Sequence, residues 1–158
     1  MTIEQNRVIE RTETKLVGYS VSISLNEALE KKVIEDLRGK LAHNRQEISN
    51  QLEQHGMYLV QVYSDCEWTP DVPFESIVAI EVSTFSSVPE GMIEHTLPSG
   101  HYAKFTHYGS ESAIGNTYDF IRETNIASNR AFDFEYWTNV NSLGEKESVI
   151  DIYLPLDT

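Results

Sequence analysis

One cysteine, Cys66, stands in a chain of 158 residues. No intramolecular disulfide can form, and a cysteine-based zinc site would lack partners. Cys66 reads as an ordinary loop thiol. Basic residues are scarce too: 12 Lys and Arg face 25 Asp and Glu, a formal net charge of −13. Non-specific nucleic-acid binding depends on cations that displace counterions from phosphate, so direct contact with DNA or RNA is not expected. The same field draws cations into any cleft it surrounds. Nowhere do 18 apolar residues run together, so no membrane span is expected. The first 25 residues carry Glu4, Arg7, Glu10, Arg11, Glu13 and Lys15, which excludes a signal-peptide core and points to the cytoplasm. P-loop, G-x-G-x-x-G, H-E-x-x-H and G-x-S-x-G signatures are all missing. No cofactor and no metal are expected.

What is present suits one folded domain spanning 1–158, with 40% apolar and 23% charged residues. Val17, Tyr19, Val21, Ile23 and Leu25 alternate with small polar residues, a half-buried strand. Asn26 is the expected N-cap of a helix over 27–41, with Ala28, Leu29, Val33, Leu37 and Leu41 at helical spacing. The polar stretch 43–54 is a loop or a short second helix. Residues 57–63 are apolar on both alternations, as in a central strand. A Pro-rich loop follows, then a strand over 76–84. Residues 86–91 form a turn at the midpoint. Beyond it, 93–97 and 102–108 read as extended, 111–124 as a helix, and 131–139 and 148–154 as strands. Both halves, about 1–86 and 87–158, spell strand, helix, strand, strand. The expectation is an α+β fold of two βαββ units, an antiparallel sheet with two helices.

Chemistry concentrates in Phe132-Asp133-Phe134-Glu135-Tyr136-Trp137. In a strand, Asp133, Glu135 and Trp137 share one face. A carboxylate beside an indole is a natural cation receptor: opposite charges about 4 Å apart gain about 4 kcal/mol at an effective dielectric near 20. A ring face adds roughly 0.5–2 kcal/mol. The competing reading is a solvated Glu135 with Trp137 at the sheet edge. Trp68 could lid a groove from its loop or pack onto that loop. Tyr19 and Tyr63 could face Glu135 from the first half or serve as core, and Tyr108 is groove or core at a strand-to-helix junction. His95, His101 and His107 recur every six residues and read as three unrelated surface histidines.

The segments Pro89-Glu90-Gly91, Leu97 to Gly109, Tyr118-Asp119-Phe120-Ile121, Phe134-Glu135-Tyr136 and Ile150 to Leu156 resemble the GyrI-like family. That family includes the effector-binding domains of bacterial AraC-type and MerR-type multidrug-sensing regulators. The resemblance implies a duplicated βαββ fold with pseudo-two-fold symmetry and a ligand groove between the halves. It also implies that Glu135 occupies the position of the glutamate that meets cationic aromatic drugs. The chain shows neither the helix-turn-helix of such regulators nor the tryptophan many relatives carry after the helix at Tyr118. A stand-alone binder of lipophilic, cationic aromatic small molecules is therefore the first expectation, with Glu135, Trp137, Tyr63, Trp68, Tyr19 and Tyr108 as ligand-binding residues. Two alternatives stay open. One is a hydrolase of strained cyclopropane-type cytotoxins, with Glu135 as general base. The other is a protein-binding role toward a partner such as DNA gyrase, which the family's namesake inhibits.

Overall fold

The computed structural model describes residues 2–52, 56–63, 69–140, 143–145 and 148–156. Its first element, β1 (Thr2–Arg11), was not anticipated. The stretch carries no period-2 signal because β1 is an edge strand, held by its pairing with a later strand rather than by a buried face. β2 (Thr14–Ile23) carries the expected alternation.

The single helix expected over 27–41 is two: α1 (Leu25–Lys31) and α2 (Val33–Asn44). Lys32 between them is left-handed, at φ 53°, which resets the helical phase. Ala28 and Leu41 are buried, and Leu37 packs on the core, but Leu29 is left 68% exposed. The N-cap is also corrected. Because β2 ends at Ile23, Ser24 takes that position and its hydroxyl accepts from the Glu27 N–H at 3.2 Å. Asn26 lies inside α1 and donates to Asp71 instead, at 2.6 Å. A 3-10 turn at Arg45–Glu47 follows.

β3 (Met57–Val62), β4 (Phe74–Val82), β5 (Ile93–Leu97) and β6 (Gly100–Tyr108) come next. A 3-10 turn at Glu111–Ala113 leads into α3 (Ile114–Thr124). β7 (Phe132–Trp137) and β8 (Val149–Pro155) complete the fold. All neighbouring strands are antiparallel, in the order β1-β6-β8-β7-β3-β4-β2-β5. Exchange β1 with β5, β2 with β6, β3 with β7 and β4 with β8, and this order reads the same from its other edge. The duplication is thus present, with its pseudo-two-fold between β3 and β7. Each βαββ unit has a further leading strand. β1 crosses to pair with β6 of the second half, and β5 crosses to β2 of the first, so the halves are laced together.

The sheet curls into a half-barrel and buries both faces. On the helix side, Val17, Leu59, Ile80, Phe105, Trp137 and Ile152 meet Leu41 and Ile121. The other face is aromatic: Phe134 stacks on Tyr153 with centroids 4.7 Å apart. The Arg11 guanidinium sits 4.7 Å from the Tyr153 centroid and 5.1 Å from that of Phe134, and it donates to the Tyr58 hydroxyl at 3.2 Å.

Gly18 marks the tightest strand contact. A Cβ there would run into the Val78 carbonyl and lie 2.5 Å from Ala79 Cα, backbone atoms that cannot swing aside. Overpacking of this kind costs roughly 1–3 kcal/mol. Gly18→Ala is expected to lose at least that much in urea unfolding, while Gly39→Ala, on an exposed helix position with nothing within 4 Å, is expected to lose nothing.

Candidate functional site

β7 lies between β3 and β8, so its side chains project from the centre of the sheet. Asp133, Glu135 and Trp137 point toward the helices, and Phe132, Phe134 and Tyr136 join the aromatic cluster on the other face. Glu135 is opposite Leu59 on one side and Ile152 on the other. Only 4% of it is exposed, which overturns the reading of a solvated strand face.

Two donors hold the carboxylate. Tyr118 Oη, from α3, donates to Glu135 Oε2 at 2.6 Å, and Trp137 Nε1 donates to Oε1 at 2.9 Å. Both are neutral. Burial pushes the Glu135 carboxyl up to about 7, although its two hydrogen bonds pull the other way.

Two further carboxylates flank it, and each has its own arginine. Asp133, fully buried two residues away, accepts from Arg130 Nε at 2.9 Å and from the Tyr63 hydroxyl at 2.6 Å through one oxygen. Its other oxygen has no partner among the described residues. Burial raises the Asp133 carboxyl in spite of Arg130, and burial beside Asp133 pushes the Tyr63 phenol well up. Glu111, at the turn before α3, is bridged by Arg38 of α2 at 3.0 Å. Glu135 is the exception: among the described residues no arginine or lysine pairs with it.

Of the six residues expected to bind ligand, the structure brings Trp137 onto Glu135 directly and Tyr63 to it through Asp133. Tyr19 packs in the core, accepting from Asn44 Nδ2 at 2.9 Å with Lys40 over its ring at 4.4 Å. Tyr108 ends β6, 37% exposed and opposite Val149. Trp68 lies, with Cys66, outside the described residues. Tyr118 was missed as a site residue. Its signal was the helical spacing Ile114, Tyr118, Ile121, which placed it on the inward face of α3. Two surface depressions, of about 230 and 200 Å3, lie at residues 47–49 with 87–90 and at residues 98–102 with 155–156. Neither opens onto Glu135, which Tyr118 and Trp137 cover.

One histidine reading is corrected. His107 is fully buried, with Nδ1 2.6 Å from the Thr117 hydroxyl and Nε2 2.9 Å from the Ser110 carbonyl. It is a core residue that ties β6 to α3. His101 is exposed, 3.5 Å from Glu10, and His95 is half-buried.

A duplicated half-barrel with a buried, uncompensated carboxylate under one helix defines a small-molecule effector-binding domain. The family model described as "Cass2: Integron-associated effector binding protein" matches residues 7–156, and the chain belongs to that family. It is also 29% identical over 100 residues to the transcriptional regulator BrlR of Pseudomonas aeruginosa, covering 60% of this chain but 37% of the regulator. The chain thus spans little more than a third of that relative's length. Among solved structures, SAV2435 bound to tetraphenylphosphonium superposes with a TM-score of 0.73 at 11% identity, covering 98% of this chain and 94% of the other. The integron cassette protein VCH_CASS2 from the mobile metagenome of Vibrio cholerae gives 0.69 at 15% identity, covering 98% and 97%. Among the described residues no helix is long and apolar enough to cross a membrane.

The raised Glu135 carboxyl links stability to pH. Its folded value, about 7, lies above the ordinary 4.5. The folded state therefore holds the proton more tightly, and its advantage is complete below pH 4.5 and lost as pH climbs through 7. At 1.36 kcal/mol per unit this amounts to roughly 3 kcal/mol. Between pH 5 and pH 8, wild type is expected to lose most of this, about 2.5 kcal/mol more unfolding free energy than Glu135→Gln, measured by urea denaturation. Tyr118→Phe removes a bond that favours the ionised form, so the Glu135 titration followed by carboxyl NMR is expected to move further up.

Proposed function

We propose that this domain binds lipophilic aromatic cations, with Glu135 as their counter-charge. One observation carries the reading. Of three neighbouring carboxylates, Asp133 and Glu111 are matched to arginines, and the most central, Glu135, is bonded by two neutral donors only. Without ligand about half of the group holds a proton at pH 7, because ionising it inside the sheet is costly. An arriving cation favours the carboxylate, and the proton leaves to solvent. The Trp137 indole supplies a wall beside the charge, and Tyr118 supplies a hydroxyl that can bond either form. Tyr63 stiffens the site through Asp133. Trp68 is proposed as an outer wall met by larger ligands, whereas Tyr19 is held in the core and Tyr108 falls on the strand face of Tyr102, away from Glu135. The tetraphenylphosphonium on SAV2435, a permanent cation with four aromatic rings, has the chemistry this arrangement suits.

A second reading rests on the same carboxyl. A value near 7 with a tyrosine at 2.6 Å is that of a general base able to activate water toward a strained electrophile. Turnover of a cyclopropane-type alkylating agent, lost in Glu135→Gln, would favour it over plain binding.

Calorimetric titration with tetraphenylphosphonium separates the outcomes. Glu135→Gln is expected to weaken binding by about 10- to 100-fold, the usual worth of a charged over a neutral partner. Neutral triphenylphosphine oxide should bind wild type and variant alike. With Glu135 about 10% ionised at pH 6 and about 90% at pH 8, apparent affinity is expected to rise about tenfold over that interval. Nearly one proton should be released on binding at pH 6. Equal cation affinity in wild type and Glu135→Gln would place the receptor elsewhere.

A further inference from the structure

Trp137 is used on two sides. Its Nε1 edge bonds Glu135, while its ring face carries the Arg38 guanidinium, whose central carbon is 4.4 Å from the ring centroid. The same guanidinium is bound in a fork by Glu111, with Nη1 and Nη2 each 3.0 Å from Oε1 and Nη2 also 3.0 Å from Oε2. A planar cation lying on an indole and clamped by a carboxylate is a complete recognition site for a guanidinium or amidinium group. Its present occupant is a side chain of the protein itself.

Three features make that occupant replaceable. Arg38 comes from α2 in the first half of the chain, whereas Glu111 and Trp137 belong to the second, so the contact bridges the two halves and is not built into one element. Arg38 fits incompletely: its Nε is buried and has no acceptor among the described residues. Glu111 keeps 26% of its side chain exposed, against 11% for Arg38, so solvent reaches the carboxylate end. Exposed Glu35, one turn before Arg38, lies close enough to raise the Glu111 carboxyl and adds negative potential at this mouth.

We propose that Glu111 and Trp137 form a second cation subsite, filled in the unliganded protein by Arg38, and that an aromatic amidinium or guanidinium ligand takes Arg38's place. This deepens the cation-binding reading of Glu135 and rests on it for the direction of approach. A ligand held on the ring face of Trp137 lies beside the Nε1 edge that bonds Glu135, and a second cationic group on the same ligand would reach Glu135 past that edge. The favoured class is therefore an aromatic amidine or guanidine, and a dication ahead of a monocation.

The test uses benzamidine, with neutral benzamide as its isostere and tetraphenylphosphonium as the Glu135 probe, all by calorimetry on the full chain. Arg38→Met keeps the aliphatic stem and empties the subsite. It is expected to raise benzamidine affinity at least tenfold and leave benzamide unchanged. Adding Glu111→Gln to Arg38→Met should remove the gain. Arg38→Lys retains the charge but neither stacks as a plane nor forks, and it is expected to give a smaller gain of about threefold. It serves if Arg38→Met does not fold, as judged by thermal melting. No gain in either Arg38 variant overturns the subsite. The Glu135 reading fails separately, if Glu135→Gln binds tetraphenylphosphonium like wild type, whatever the Arg38 variants do.

Discussion

The burial of the Glu135 carboxyl without a cation is the constraint on which the rest of the site depends. A carboxylate taken out of water needs a positive partner, enough hydrogen bonds, or a proton. Here β7 places it at the middle of an eight-stranded sheet, between Leu59 and Ile152, where water cannot solvate it. Tyr118 and Trp137 supply two hydrogen bonds, and a proton supplies the remainder near neutral pH. The nearby ionic pairs follow from the same constraint. Asp133 and Glu111 would otherwise add two more uncompensated charges to one low-dielectric region, and Arg130 and Arg38 neutralise them. What remains is a single carboxyl poised between two protonation states.

The scaffold suits this arrangement. Because β1 and β5 cross to the opposite halves, neither half can open far without tearing edge pairing. The pseudo-two-fold passes between β3 and β7, so the two central strands are those least able to move, and Glu135 sits on one of them. The helices cover the site from one side and are each joined to it by side chains: α3 through the Tyr118 hydroxyl, α2 through Arg38. A rigid floor with a roof attached by a few polar contacts holds the charge at a fixed place.

The aromatic face on the other side of the sheet shows how differently a cation is treated when its role is structural. Arg11 lies over Tyr153, Phe134 and Tyr58 and donates to a phenol and to Thr14. Among the described residues no carboxylate bonds it directly, and the rings themselves provide the favourable surface. On the Glu135 face the cation over a ring, Arg38 on Trp137, is clamped by a carboxylate, Glu111.

How much of this was legible beforehand depended on whether the signal was local. Local patterning placed β2, β3, β4, β7 and β8, as period 2 in β2 and as a run apolar on both alternations in β3, both properties of consecutive residues. It also put Asp133, Glu135 and Trp137 on one face, which the structure bears out. β1 had no such signal, because an edge strand is held by a partner a hundred residues away. The break at Lys32 was hidden, since one left-handed residue alters phase without altering composition. Which neighbours surround the three carboxylates was decided mainly by tertiary structure: Tyr118 reaches Glu135 from α3 and Arg38 reaches Glu111 from α2, and no spacing along the chain encodes those distances. The sequence by itself determined which residues could carry charge and which face of β7 they share. The closing of the sheet and the seating of α2 and α3 decided that two of the three carboxylates would have an arginine and that Glu135 would not.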